Sequence, residues 1–196
     1  MKVDYVHSVQ TAYRKLLDCL AKPGTMHSLR PESAALDLPV ACYKSTMMLM
    51  MMFLDPEVSF HIIGRRKEDA ERYVTQLCGA RVSPLGEADF VFVLKDRDQG
   101  ALIEAIQASK LGDLVAPHLS ATVIVEVEKN TAHDELLLSG PGIQWVSPTS
   151  IITDAEFVDS RAAKNVEYPL GIEMLFVDED HRLFAIPRTT TISKVR

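Results

Sequence analysis

The segment that most constrains this chain is the run Phe90, Val91, Phe92, Val93 and Leu94, five apolar residues in succession. A run of that length reads as a strand, and a strand apolar at every position needs cover on both faces. It sits inside an alternation. A short strand at Ser59 to Ile63 precedes a helix carrying Ala70, Tyr73, Val74 and Leu77, and the apolar strand is followed by a helix with Leu102, Ala105 and Ile106. Strand and helix in turn imply parallel strands joined by helical crossovers.

The flanking segments extend this pattern. Tyr5, Val9, Ala12, Tyr13, Leu16 and Leu20 fall on one face of a first helix, which Asp4 can cap and Pro23-Gly24 stops. A second helix is expected from about Val40 to Leu54, apolar nearly all round, Met-rich and therefore buried, and ended by Asp55-Pro56. From Ala121 to Val127 the period of two, with Thr122, Ile124 and Glu126 on the second face, predicts a strand with only one face deeply buried. Further strands are expected at Glu135 to Ser139, Ile172 to Val177 and Arg182 to Ile186, with a helix from Asp154, its cap, to Asn165. Asp178-Glu179-Asp180-His181 makes the last two strands an antiparallel hairpin, its acids read as solvated. The fold class is α/β, a mixed β-sheet flanked by helices on both faces, in one domain spanning residues 1–196.

Composition narrows the function classes. With 21 Lys plus Arg against 27 Asp plus Glu, the net charge of −6 repels a polyanion, so no nucleic-acid partner is expected. The apolar stretch Ser45 to Leu54 is half the length of roughly 20 residues that a bilayer requires, and residues 1–15 lack an uninterrupted apolar signal region. A cytoplasmic location without membrane contact is expected. Cys19, Cys42 and Cys78 are odd in number and widely spaced, which favours core packing over disulfides. The histidines at 7, 27, 61, 118, 133 and 181 show no metal-ligand spacing, so no metal is expected.

Catalytic fingerprints are absent as well. There is no Gly-x-Ser-x-Gly elbow and neither phosphate-loop signature. Two local sets suit a small anion. Ser139, Gly140 and Gly142 offer a hydroxyl and glycine N–H groups for an anion nest, the alternative being a rigid turn. Arg188 beside Thr189 and Thr190 suits phosphate or phosphonate oxygens, the alternative being an Arg paired with an acidic neighbour in a Thr-rich strand. His118, in a polar loop before a strand, can face a ligand or bond to backbone.

Taken in order, the motifs resemble one family. Gln10-Thr11-Ala12-Tyr13-Arg14 with Lys22-Pro23-Gly24, then Pro117-His118-Leu119-Ser120-Ala121-Thr122, then Leu138-Ser139-Gly140-Pro141-Gly142-Ile143 are similar to segments of the PhnH family. These are the H subunits of bacterial carbon-phosphorus lyase systems. The most specific part is Asn165 to Glu173, with its Pro169-Leu170-Gly171, followed by Ile186-Pro187-Arg188-Thr189-Thr190. Tyr168 and Glu173 stand where Phe and Asp are expected, and His118 where a Glu is common. The resemblance implies a fold similar to the pyridoxal-phosphate-dependent transferases without that cofactor, and a homodimer when isolated. It further implies a place in a core complex with the G, I and J subunits, supporting formation of ribose 1-alkylphosphonate 5-triphosphate from ATP and an alkylphosphonate. Two roles remain open, an accessory subunit or a transferase binding an anion near Arg188. No cofactor is expected, since Lys44, Lys110 and Lys164 lie in no recognisable Schiff-base setting.

Overall fold

A computed structural model describes residues 5–37, 39–128, 136–149 and 156–194. Its elements run α1 (Tyr5–Ala21), β1 (His27–Ser28), α2 (Arg30–Ser33), α3 (Lys44–Phe53), β2 (Ser59–Ile63), α4 (Lys67–Cys78), β3 (Arg81–Val82), β4 (Phe90–Val93) and α5 (Ala101–Ala108). A 3-10 turn at Pro117–Leu119 then leads to β5 (Thr122–Glu126), β6 (Leu136–Ser139), β7 (Ser147–Thr149), α6 (Phe157–Lys164), β8 (Glu173–Val177), β9 (Arg182–Ile186) and β10 (Thr191–Lys194).

Seven strands form one sheet in the order β1-β9-β8-β5-β4-β2-β3. From β8 through β3 every pairing is parallel, while β9 runs antiparallel to β8 and β1 antiparallel to β9. A second, antiparallel sheet has the order β10-β6-β7. The apolar run Phe90 to Val93 sits near the middle of the large sheet, as a doubly covered strand must. Phe92 points into a core layer with α1, α3 and α4, and Val91 and Val93 point into the opposite layer with α5 and α6. The mixed α/β architecture with helices on both faces is the one the sequence predicts.

Four expectations need correction. Strand β5 is buried on both faces, because it lies between β4 and β8 and Ile124 packs into the first core layer while Val123 and Val125 enter the second. Helix α3 begins at Lys44, four residues after Val40. Tyr43 is extended at ψ 146°, and its N–H donates to Glu126 Oε1 at 2.6 Å. The Glu126 carboxylate at the end of β5 thus takes the place of one more turn of helix. Asp178 is buried, accepting from the Asp180 and Arg182 N–H groups and the Arg182 side chain, so it organises the β8–β9 turn. Tyr13, assigned to the apolar face of α1, is about half exposed, whereas Cys19 completes that stripe in the core. The expected caps Asp4 and Asp154, and Glu135 at the start of β6, lie outside the described residues.

Glu126 is fully buried, and its second oxygen accepts from the Lys95 N–H at 3.0 Å. Burial pushes its carboxyl above the ordinary value of 4.5, against the lowering effect of these donors. The folded state therefore holds this proton to higher pH than the unfolded chain does. The associated stability is complete below the unfolded value and declines as pH rises through the folded one. Glu126→Gln is expected to flatten that part of the profile, read as urea midpoints for both proteins from acid to neutral pH. On the other face Phe176 stacks on Phe184 at 4.9 Å and meets Phe157 edge-on at 5.9 Å. Phe176→Ala is expected to cost about 3–5 kcal/mol by denaturant unfolding, through lost burial and the cavity left behind.

Candidate functional site

Most of the residues singled out in the sequence lie around one corner, beside the starts of β5 and β8. Glu173 opens β8, and its carboxylate accepts the Arg188 backbone N–H at 2.8 Å and Nε–H at 2.5 Å. Arg188 Nη1 donates to the Pro117 carbonyl at 2.7 Å and more weakly to the Pro169 carbonyl at 3.4 Å. One guanidinium therefore links the end of β9, the 3-10 turn carrying His118, and the loop before β8. Charge-assisted bonds of this kind are stronger than neutral ones, and both side chains are about four-fifths buried.

Asn165, at the end of α6, completes the corner. Its amide donates to the Ile172 carbonyl at 3.1 Å and accepts from the Ile172 N–H at 2.9 Å, imitating a neighbouring strand. Gly171 makes that approach feasible. At φ 143° it adopts a backbone that side chains rarely take, and a Cβ there would lie 2.9 Å from the Asn165 amide.

Gly140 approaches the Thr189 carbonyl so closely that a Cβ would lie 2.8 Å from it, and Ser139 pairs with Thr191 across β6 and β10. The glycine turn and the Arg188 segment are thus neighbours. Gly142 turns away, packed against the Ala21 carbonyl at the end of α1. The His118 side chain is exposed, and its turn is joined to the corner through Pro117. Thr190 is 2% exposed, and its hydroxyl has no partner among the described residues. The three lysines considered for a Schiff base bond elsewhere: Lys44 to the Ala34 carbonyl, Lys110 to Asp89, and Lys164 to the Gln107 carbonyl. Among the described residues, no three His, Cys, Asp or Glu side chains come together as metal ligands. No helix among them is long and apolar enough to cross a membrane.

Arg161, a residue the sequence did not mark, is the most deeply placed cation of the corner. It is 3% exposed on α6, with Nη1 donating to the Thr190 carbonyl at 2.9 Å and Nη2 to the Pro187 carbonyl at 2.6 Å. Burial lowers its guanidinium to about 10, partly offset by the field of Glu173, so it stays charged at neutral pH. In the sequence Arg161 is one polar residue of a mixed helix. Only the docking of α6 against β10 shows that it points inward.

This corner is formed by the same segments that carry the sequence motifs, Asn165 to Glu173 and Pro187 to Thr190. The family profile described as "Bacterial phosphonate metabolism protein (PhnH)" matches residues 2–193. The chain belongs to the PhnH family. One relative, from Rhizobium meliloti (strain 1021), is named "Alpha-D-ribose 1-methylphosphonate 5-triphosphate synthase subunit PhnH". It is 27% identical, over 97% of this chain and 93% of its own length. Another, from Stutzerimonas stutzeri, is named "Putative C-P lyase subunit protein HtxG". It is 30% identical, over 94% of this chain and 85% of its own length. Both relatives are thus named as subunits, one of a ribose 1-methylphosphonate 5-triphosphate synthase and the other of a C-P lyase.

The geometry makes Arg188 and Glu173 one unit in this PhnH-family chain. Arg188→Ala and Glu173→Ala are each expected to cost about 1–3 kcal/mol, because each leaves charged or backbone groups without partners. The double variant is expected to cost clearly less than the sum, as a urea-denaturation cycle will show.

Proposed function

We propose that this chain is a subunit of a carbon-phosphorus lyase system for phosphonate catabolism, structural in role and not catalytic alone. In that reading it supports formation of ribose 1-alkylphosphonate 5-triphosphate from ATP and an alkylphosphonate, assembled with the G, I and J subunits. In isolation it is a homodimer. Its mostly parallel sheet, ended by antiparallel strands, is consistent with a fold similar to the pyridoxal-phosphate-dependent transferases without the cofactor.

The observation that carries the assembly role is the apolar surface of the corner. Val115 is 95% exposed, Val166 82% and Tyr168 79%, with Leu114 and Leu119 also exposed. They lie on the two loops that Arg188 draws together through Pro117 and Pro169. Single exposed apolar residues are ordinary, but a group of them on braced loops suits a surface that a partner covers. Arg188 itself argues for the same role. Its Nε, Nη1 and backbone N–H bind the protein's own acceptors, which leaves little of it for gripping substrate as a transferase would require.

Affinity purification of the tagged chain from phosphate-starved cells is expected to recover the G, I and J subunits. Val115→Asp with Tyr168→Asp is expected to lose them while the circular dichroism of the purified chain is unchanged. Recovery of no phosphonate-lyase subunit by the unmodified chain contradicts the proposal.

A further inference from the structure

Between α6 and β10 lies a cleft of about 170 Å³, lined among others by Val158, Arg161, Asn165, Arg188, Thr190 and Ile192. Two of these side chains are more than nine-tenths buried and have polar atoms without partners among the described residues, Arg161 at Nε and Thr190 at Oγ1. Buried donors left unpaired are uncommon and cost stability, and a buried cation without a counter-ion costs more. Among the described residues Arg161 is such a cation. Its two bonds go to neutral carbonyls, and the carboxylate whose field it feels, Glu173, is already held twice by Arg188. Arg188, whose Nε and Nη1 are bonded to Glu173 and the Pro117 carbonyl, also lines this cleft.

We propose that this cleft binds a small tetrahedral oxyanion of the phosphate or phosphonate class, held by Arg161 and Thr190. Two guanidinium groups against one carboxylate leave a net positive charge for the anion to neutralise. A water molecule can satisfy an orphan hydroxyl, but it brings no charge to offset Arg161. Size sets the ligand class. Sites for drug-sized ligands span roughly 300–1,000 Å³, so a nucleotide does not fit here and an isolated anion head with a short substituent does. Val158 and Ile192 give such a substituent an apolar wall. The inference goes beyond the assembly role and does not depend on it, because no partner subunit enters the argument.

The test is titration of the purified chain with methylphosphonate and, separately, with inorganic phosphate, followed by calorimetry. Saturable binding of at least one anion is expected, weakened about tenfold or more by Thr190→Val, which keeps the side-chain shape and removes the hydroxyl. Arg161→Met is expected to abolish it. Because Arg161 also ties two loop carbonyls, Thr190→Val carries the test if Arg161→Met does not fold. Tighter methylphosphonate binding assigns the site to a phosphonate, and tighter phosphate binding to a phosphate; either result supports an oxyanion site. Lys67→Ala, on α4, is expected to leave binding unchanged. No saturable binding at millimolar anion overturns the proposal, as does binding that Thr190→Val leaves intact.

Discussion

A parallel strand that is apolar on both faces must be covered twice, and the arrangement of this chain follows from that requirement. Strands β4, β5 and β8 each send alternate residues into separate cores: Phe92, Ile124 and Leu175 into one, Val91, Val123 and Met174 into the other. Helices α1, α3 and α4 close the first core, and α5 and α6 close the second. Because crossovers must return each parallel strand to its start, the long connections gather loops at the strand ends. One such gathering brings the approach to β5, the approach to β8 and the exit from β9 to a common corner.

That corner is held by polar bonds where the cores are held by packing. Glu173, Arg188 and Asn165 satisfy backbone groups of loops that have no sheet partner, as buried polar groups require. Glycine at 171 and 140 lets the segments approach within a distance that a Cβ would block. The consequence is a braced platform with exposed apolar loops outside and a deeply placed Arg161 inside. In the proposed reading the first is a surface for partner subunits and the second a charge that a bound anion would neutralise.

Much of the large sheet was legible in the sequence, because Ser59 to Ile63 and Phe90 to Leu94 are short runs rich in β-branched or aromatic residues, too brief for a buried helix. The errors arose where a distant residue decides the local structure. The start of α3 depends on Glu126, 83 positions away from Tyr43 in the chain, and no local pattern around Val40 records that bond. Likewise, Ile124 looked half-buried because its neighbours Thr122 and Glu126 are polar, yet Glu126 is buried to cap α3. At the site, Ser139, Gly140, Arg188, Thr189 and Thr190 were visible as anion-compatible types and their segments do meet. Arg161 was not visible, since a single Arg in an amphipathic helix gives no sign of its direction. The family itself was legible from the order of the motifs, above all Asn165 to Glu173 and Pro187 to Thr190.

The central claim is that one ion pair braces two separate loops as a unit. Hydrogen–deuterium exchange of Glu173→Ala beside the unmodified chain tests it most directly, because exchange reports local opening segment by segment. The account predicts faster exchange in residues 113–120 and 165–171 together, with the amides of Val123 to Val125 in β5 unchanged. Wild-type exchange rates in both loops of the variant would contradict it.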